Sequence, residues 1–181
     1  MSSYRKPHLS FYHERQERQL CLLHAINNLL QKKAFTKEDL DNICLTLDDR
    51  NWFNPHRSML GLGNYDVNVL ITALGEQGLS VSWFDHRLRS DSIVMEKIVG
   101  YVFNKQASAI WYYLTKSRHW FAVLKMKDGQ YYNLDSKLSR PQVIEDFHGF
   151  VNDHLDKGNE LLLITKPEDA ESCIVRRTTK A

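Results

Sequence analysis

Residues 15–31, RQERQLCLLHAINNLLQ, restrict the fold more than any other stretch. The segment is polar and charged up to Gln19 and then almost wholly apolar, interrupted only by His24 and the pair Asn27 and Asn28. Over 20–32 the spacing predicts a helix whose apolar residues do not keep to one stripe. Leu23, Ile26 and Leu30 share one face, and Leu22, Ala25 and Leu29 share the next. A helix that is apolar on most sides must lie at the centre of its domain, covered by other elements. Cys21 stands at the seam, in the first turn of that helix, with Gln16 five residues ahead.

The covering elements follow along the chain. AFTKEDLDNICLTL places Thr36 and Asp39 at capping spacing ahead of Leu40, Ile43, Cys44 and Leu47, which predicts a second helix. Asp48 to Asn64 reads as a loop broken by Pro55, Gly61 and Gly63. Tyr65 to Gln77 reads as a third helix, with Val67, Leu70, Ile71 and Leu74 inward and Gly78 at its end. LSVSWF alternates as a strand does. Asp91 to Asn104 predicts a helix with Ile93, Val94, Ile98 and Val102 inward and Gly100 as a costly interior residue. In the second half SAIWYYLT, HWFAVLKM and QYYNLDS read as strands, the last two closing a hairpin at Lys127-Asp128-Gly129. Pro141 to Lys157 predicts a helix stopped by Gly158, ELLLIT is a buried strand, and from Pro167 the chain reads as a loose tail. Helices dominate the first part and an antiparallel sheet the second, so the class is α+β. One domain over 12–165 and a tail over 166–181 are expected, without internal repeat or linker.

Composition removes several functions. At 181 residues, 43% apolar and a net charge of +2, the chain can bury one proper core. Its basic residues are dispersed except for the terminal RRTTKA, which argues against nucleic acid as a partner. No apolar run reaches membrane-spanning length, and MSSYRKPHLS lacks the apolar centre of a signal peptide. Three cysteines do not make a disulfide framework. The expectation is a reduced, intracellular, cytoplasmic protein, monomeric and needing no cofactor.

Cys21 carries the clearest chemistry. A thiol attacks as thiolate, and a helix N-terminus favours that form through its amides and dipole, as does a nearby imidazolium. A cysteine alone is more often a packing residue; Cys44, mid-helix on an apolar face, fits that description, and Cys173 reads as a tail thiol without a role. Gln16 raises the odds, because the Cys21 amide and a glutamine side chain together could hold an oxyanion. His119 opens the strand HWFAVLKM, and the hairpin returns Asp135 toward the same end. A two-residue loop would set Asp135 opposite Ala122, on the face away from His119. A three-residue loop with Gly129 left-handed sets it opposite Phe121, a diagonal neighbour of His119. Thiol, imidazole and orienting carboxylate in that order suit a thiol hydrolase. Cys21 and His24 have C-x-x-H spacing, but no second Cys/His pair supports a zinc site, and no metal is expected. The four tryptophans read as packing residues.

FYHERQERQLCLLHAINNLLQ, NPHRSMLGLGNYDVNVL and the pair RHWFAV and YYNLDSKL resemble the Josephin domain, over roughly Tyr12 to Ile164. The closest likeness is to the small members that are little more than that domain. The resemblance implies a papain-like cysteine protease fold, with a protruding helical hairpin over roughly Thr36–Gln77, and removal of ubiquitin from conjugated proteins. It implies Cys21 as nucleophile, His119 as base, Asp135 in the third position, where some relatives carry Asn, and Gln16 at the oxyanion. Should thiolate and imidazolium pair before substrate arrives, Asp135 need only accept a hydrogen bond, and Asn would serve nearly as well. The long tail with ubiquitin-interacting helices of larger members has no counterpart in these 181 residues. The competing expectation is a ubiquitin-binding module with weak or absent turnover.

Overall fold

The computed structural model describes residues 10–17, 19–47, 65–106 and 118–175. Among these, a six-stranded antiparallel sheet carries helices on both faces, in agreement with the α+β class. The strands β1 (Ser80–Trp83), β2 (Ile98–Gln106), β3 (Arg118–Lys125), β4 (Tyr131–Asn133), β5 (Gln142–Ile144) and β6 (Glu160–Thr165) lie in the order β1-β6-β2-β3-β4-β5. Side chains alternate across the sheet. Val102, Trp120, Ala122, Leu124, Leu162 and Ile164 face α1 (Cys21–Leu30), α2 (Lys37–Leu47) and α3 (Val67–Glu76). Tyr101, Phe103, Phe121, Val123, Leu161 and Leu163 face α4 (Phe147–Asp156).

The central helix behaves as its composition demands: every residue of α1 from Cys21 to Leu29 is buried. α2 opens on the expected reciprocal cap. The Thr36 amide and hydroxyl both donate to Asp39 Oδ2 at 2.7 Å, and the Asp39 amide donates back to Thr36 Oγ1 at 3.3 Å. α3 is capped by Asp66, whose carboxylate accepts from the amides of Asn68 and Val69. Its buried arc is Val69, Leu70, Ala73 and Leu74; Ile71, expected inward, falls one step outside that arc and is 41% exposed. The Tyr65 hydroxyl donates to Asp41 Oδ1 at 2.9 Å, joining α2 to the start of α3. The expected loop over 48–64 and the strand SAIWYYLT lie outside the described residues.

Three expectations are corrected. The segment 91–104 is not a helix: two short 3₁₀ turns, Ser90–Ser92 and Met95–Lys97, lead into β2. Gly100 supplies the reason. A Cβ there would sit 2.4 Å from Leu29 Cδ1 and 2.8 Å from Leu124 Cδ2, so the missing side chain lets α1 press onto the sheet, and the ladder to β6 shifts register between Ile98 and Gly100. Second, the expected helix over 141–157 begins only at Phe147, after its N-cap Asp146, because 142–144 pair with β4 as an edge strand. Third, the tail is not loose over 167–175. Cys173 is 1% exposed in the α4-side core, Ile174 bridges Ile93, and the Val94 amide donates to the Cys173 carbonyl at 2.9 Å.

Candidate active site

The thiol comes from one layer and the imidazole from the other. Cys21 is the first residue of α1, and its Sγ faces the Arg118 carbonyl at 3.8 Å, at the start of β3. The next residue along β3, His119, lies on the α4 side, where its ring runs nearly parallel to Phe121 at 6.3 Å between centroids. The β3–β4 hairpin has the three-residue loop, with Gly129 at φ 82° and the Met126 amide donating to Gln130 O at 2.9 Å. Pairing of Val123 with Asn133 and the bond from the Leu134 amide to Ala122 O carry Asp135 to the level of Phe121. His119 Nε2 lies 2.7 Å from Asp135 Oδ1. Asp135 is itself held: its amide donates to Asn133 Oδ1, and its Oδ1 accepts from the Lys137 amide, both at 2.9 Å. Burial pushes its carboxyl up, but the His119 bond, with the Lys137 contributions, outweighs that and leaves it below the ordinary value.

Gln16 is brought to the same corner. Its amide donates to the Ser136 carbonyl at 2.8 Å, and the Ser136 hydroxyl lies 3.4 Å from its Oε1, which turns the oxygen of the side-chain amide toward Ser136. Thus all four expected residues converge on the end of β3 where α1 begins.

The Cys21 thiol departs from expectation. It is 5% exposed, and burial pushes its pKa above the ordinary thiol value. Amides of Trp120 and Leu22 and the charge of Lys137 pull it down, while Asp135 adds to the rise; burial wins. Burial therefore works against the thiolate at this position and opposes the effect expected of a helix start.

Beneath the corner lies an arrangement that the sequence reading passed over. His24, Asn27 and Asn28 are spaced i, i+3 and i+4, a polar stripe on an otherwise apolar buried helix, and Gln31, its left-handed C-cap, continues the spacing at i+7. That stripe receives residues 12–17. Gln31 brackets the Tyr12 backbone, donating to its carbonyl and accepting from its amide, both at 3.1 Å. Asn28 Oδ1 accepts from the Glu14 amide at 2.6 Å, and Asn28 Nδ2 donates to Leu134 O at 3.0 Å, linking loop, helix and the residue that follows β4. The Glu14 carboxylate meets His24 Nδ1 at 2.6 Å, Asn27 Nδ2 at 3.0 Å and the Tyr12 hydroxyl. Burial pushes the Glu14 carboxyl up, but these bonds prevail and lower it. Four polar residues at helical spacing in a buried helix were the available signal, because buried polar groups need partners. His24, weighed as a zinc ligand, is committed to Glu14.

A Josephin family model matches residues 16–164 of this chain. The chain is 43% identical over 170 residues to a Josephin-like protein of Drosophila melanogaster, covering 90% of this chain and 76% of that protein. It is 40% identical to human Josephin-2 over 173 residues, covering 91% and 92% respectively. Human ataxin-3 is 30% identical over 158 residues, 76% of this chain but 40% of ataxin-3.

Proposed function

Because the chain belongs to the Josephin family, we propose that it is a deubiquitinating cysteine protease, cleaving isopeptide bonds after the C-terminal glycine of ubiquitin. The observation that carries the assignment is the 2.7 Å bond between His119 Nε2 and Asp135 Oδ1. It holds the ring by one nitrogen and leaves Nδ1 for the thiol, whose sulfur lies against the carbonyl of the preceding residue. His119 takes the Cys21 proton as the sulfur attacks the glycine carbonyl. The oxyanion is held by the Gln16 side chain and the Cys21 amide. The imidazolium gives its proton to the departing lysine amine, then the neutral ring activates water, and hydrolysis of the thioester restores the thiol. Asp135 orients the ring and stabilises its cation.

We place the catalytic unit over 12–165, with ubiquitin and its conjugates as partners, acting as a monomer in the reducing cytoplasm, where three buried thiols remain unoxidised. Among the described residues no helix is long and apolar enough to cross a membrane.

One observation favours a second reading, a ubiquitin-binding module with weak or absent turnover: the thiol is buried, and burial pushes its pKa up. Ubiquitin carrying a C-terminal electrophile separates the two. Stoichiometric labelling of the native chain and none of Cys21→Ala supports the protease. Tight binding without labelling supports the module.

A further inference from the structure

Gln16 sits between two peptide amides that are tied to different elements. Its own amide donates to Ser136 O at 2.8 Å, beyond β4. The next amide, that of Glu17, donates to His24 Nε2 on α1 at 3.2 Å. A backbone N–H can only donate, so His24 Nε2 must be an acceptor without a proton. The ring proton therefore resides on Nδ1, where it meets Glu14 Oε2 at 2.6 Å. The side chains of His24 and Glu14 are 9% and 18% exposed, and Glu14 is fixed through its own amide by Asn28. Tautomer, ring orientation and loop position are thus set by one chain of bonds, Glu14 to His24 to the Glu17 amide.

We propose that His24 and Glu14 are positioning residues for the oxyanion site: Glu14 holds His24 in its Nδ1–H form, and His24 Nε2 then anchors the peptide after Gln16, setting where the Gln16 side chain points. In this role both act through Gln16 rather than on the substrate. The inference rests on the reading of Gln16 as an oxyanion donor. A donor displaced by a fraction of an ångström loses its stronger bond to the transition state while substrate binding is nearly unchanged, so the loss belongs in kcat.

The geometry of amide side chains supplies the test. Asn reaches as far as Nδ1 and can serve Glu14, but it offers nothing at the Nε2 position. Gln reaches as far as Nε2 and can accept from the Glu17 amide. Turnover of ubiquitin bearing a C-terminal fluorogenic amide is measured for the native chain, Gln16→Ala, His24→Asn, His24→Gln and the double variant Gln16→Ala/His24→Asn, each verified as folded. His24→Asn is expected to lower kcat about tenfold or more with KM within about twofold, and His24→Gln to recover most of that loss. The double variant is expected to be no slower than Gln16→Ala alone, because His24 acts through Gln16. Multiplying losses in the double variant, or His24→Gln as slow as His24→Asn, overturns the proposal while leaving the protease reading intact. Wild-type kcat in Gln16→Ala, or turnover by Cys21→Ala, overturns the underlying reading and the proposal with it. Should His24→Asn not fold, Glu14→Gln at its partly exposed site takes its place. A fall in kcat of about threefold to tenfold that vanishes in the Gln16→Ala background supports the device; wild-type kcat contradicts it.

Discussion

The two faces of the sheet are held by different forces. On the α4 face Phe103 stacks on Phe121 at 5.0 Å, Tyr131 stacks on Phe147 at 3.9 Å, and Phe150 and His154 close the cluster. Such contacts are many, individually weak and tolerant of small shifts. On the α1 face the helix is as deeply buried, but one stripe of it makes directional bonds to residues 12–17. A buried hydrogen bond that loses one partner costs about 1–3 kcal/mol and permits no compromise position. The layer that places Cys21 and Gln16 is the one built from directional bonds. The other layer, behind His119, supplies bulk and stability.

The sharpest contrast lies within the α1 layer itself. Cys21 and Cys44 are both buried thiols on this face. Cys21→Ala is expected to reduce turnover of a ubiquitin substrate by about 10⁴-fold or more with binding retained. Cys44→Ala should lower the melting temperature and leave kcat of the folded protein unchanged. Loss of turnover in folded Cys44→Ala would remove the distinction.

Asp135 tests whether charge or geometry governs the imidazole. In the proposed mechanism burial disfavours the thiolate before attack, so an imidazolium forms as the sulfur attacks and the Asp135 carboxylate stabilises it. Asp135→Asn is therefore expected to lower kcat/KM about hundredfold. This falls short of the 10⁴ of a serine triad because a thiol gives up its proton more readily than a hydroxyl, leaving less for the carboxylate to stabilise. A nearly wild-type Asn variant would mean that the ion pair exists before substrate arrives.

The two layers should also separate by mutation. Asn28→Ala removes the bonds to the Glu14 amide and to Leu134 O. It is expected to cost about tenfold or more in kcat for about 1–3 kcal/mol of stability. Leu155→Ala, in the α4-side core at 6% exposure, is expected to cost about 2–5 kcal/mol with kcat unchanged. Urea denaturation and initial rates on the same samples decide. Equal effects on kcat would erase the division of labour.

The smallest effect concerns pH. Burial, reinforced by the charges of Lys105 and Lys157, pushes His154 down from 6.5 to about 4. Between those values the unfolded chain holds a proton that the folded chain refuses, so stability rises with pH and is lost as pH falls through that window. His154→Leu should flatten the decline in melting temperature between about pH 6.5 and 4. An unchanged slope would show that His154 titrates normally.

Much of this architecture was legible in the sequence, and where it was not the reasons are physical. The hairpin at Lys127-Asp128-Gly129 admits two registers from sequence, and the three-residue loop that brings Asp135 to His119 is the one formed. IVGYVF has helical spacing but forms a strand because its deciding partner, Leu29 packed against Gly100, is about seventy residues away. The burial of Cys173 is not legible locally, since nothing near it in sequence shows that Ile174 pairs with Ile93. The placement of Cys21 at a helix start was legible, but its 5% exposure, which raises the thiol pKa, depends on distant packing. The polar series His24, Asn27, Asn28 and Gln31 is visible in the sequence, but as an interruption of apolar periodicity it does not by itself show which segment it binds.

The central claim is that Cys21, drawn from the α1 layer, forms a covalent acyl intermediate with ubiquitin under control of His119 from the other. Acid-quenched reaction mixtures analysed by intact and peptide-level mass spectrometry test it directly. A thioester joining the ubiquitin C-terminus to Cys21, cleaved by hydroxylamine, absent in Cys21→Ala and strongly diminished in His119→Ala, is expected. Steady turnover with no adduct at Cys21, or an adduct on another residue, would contradict it.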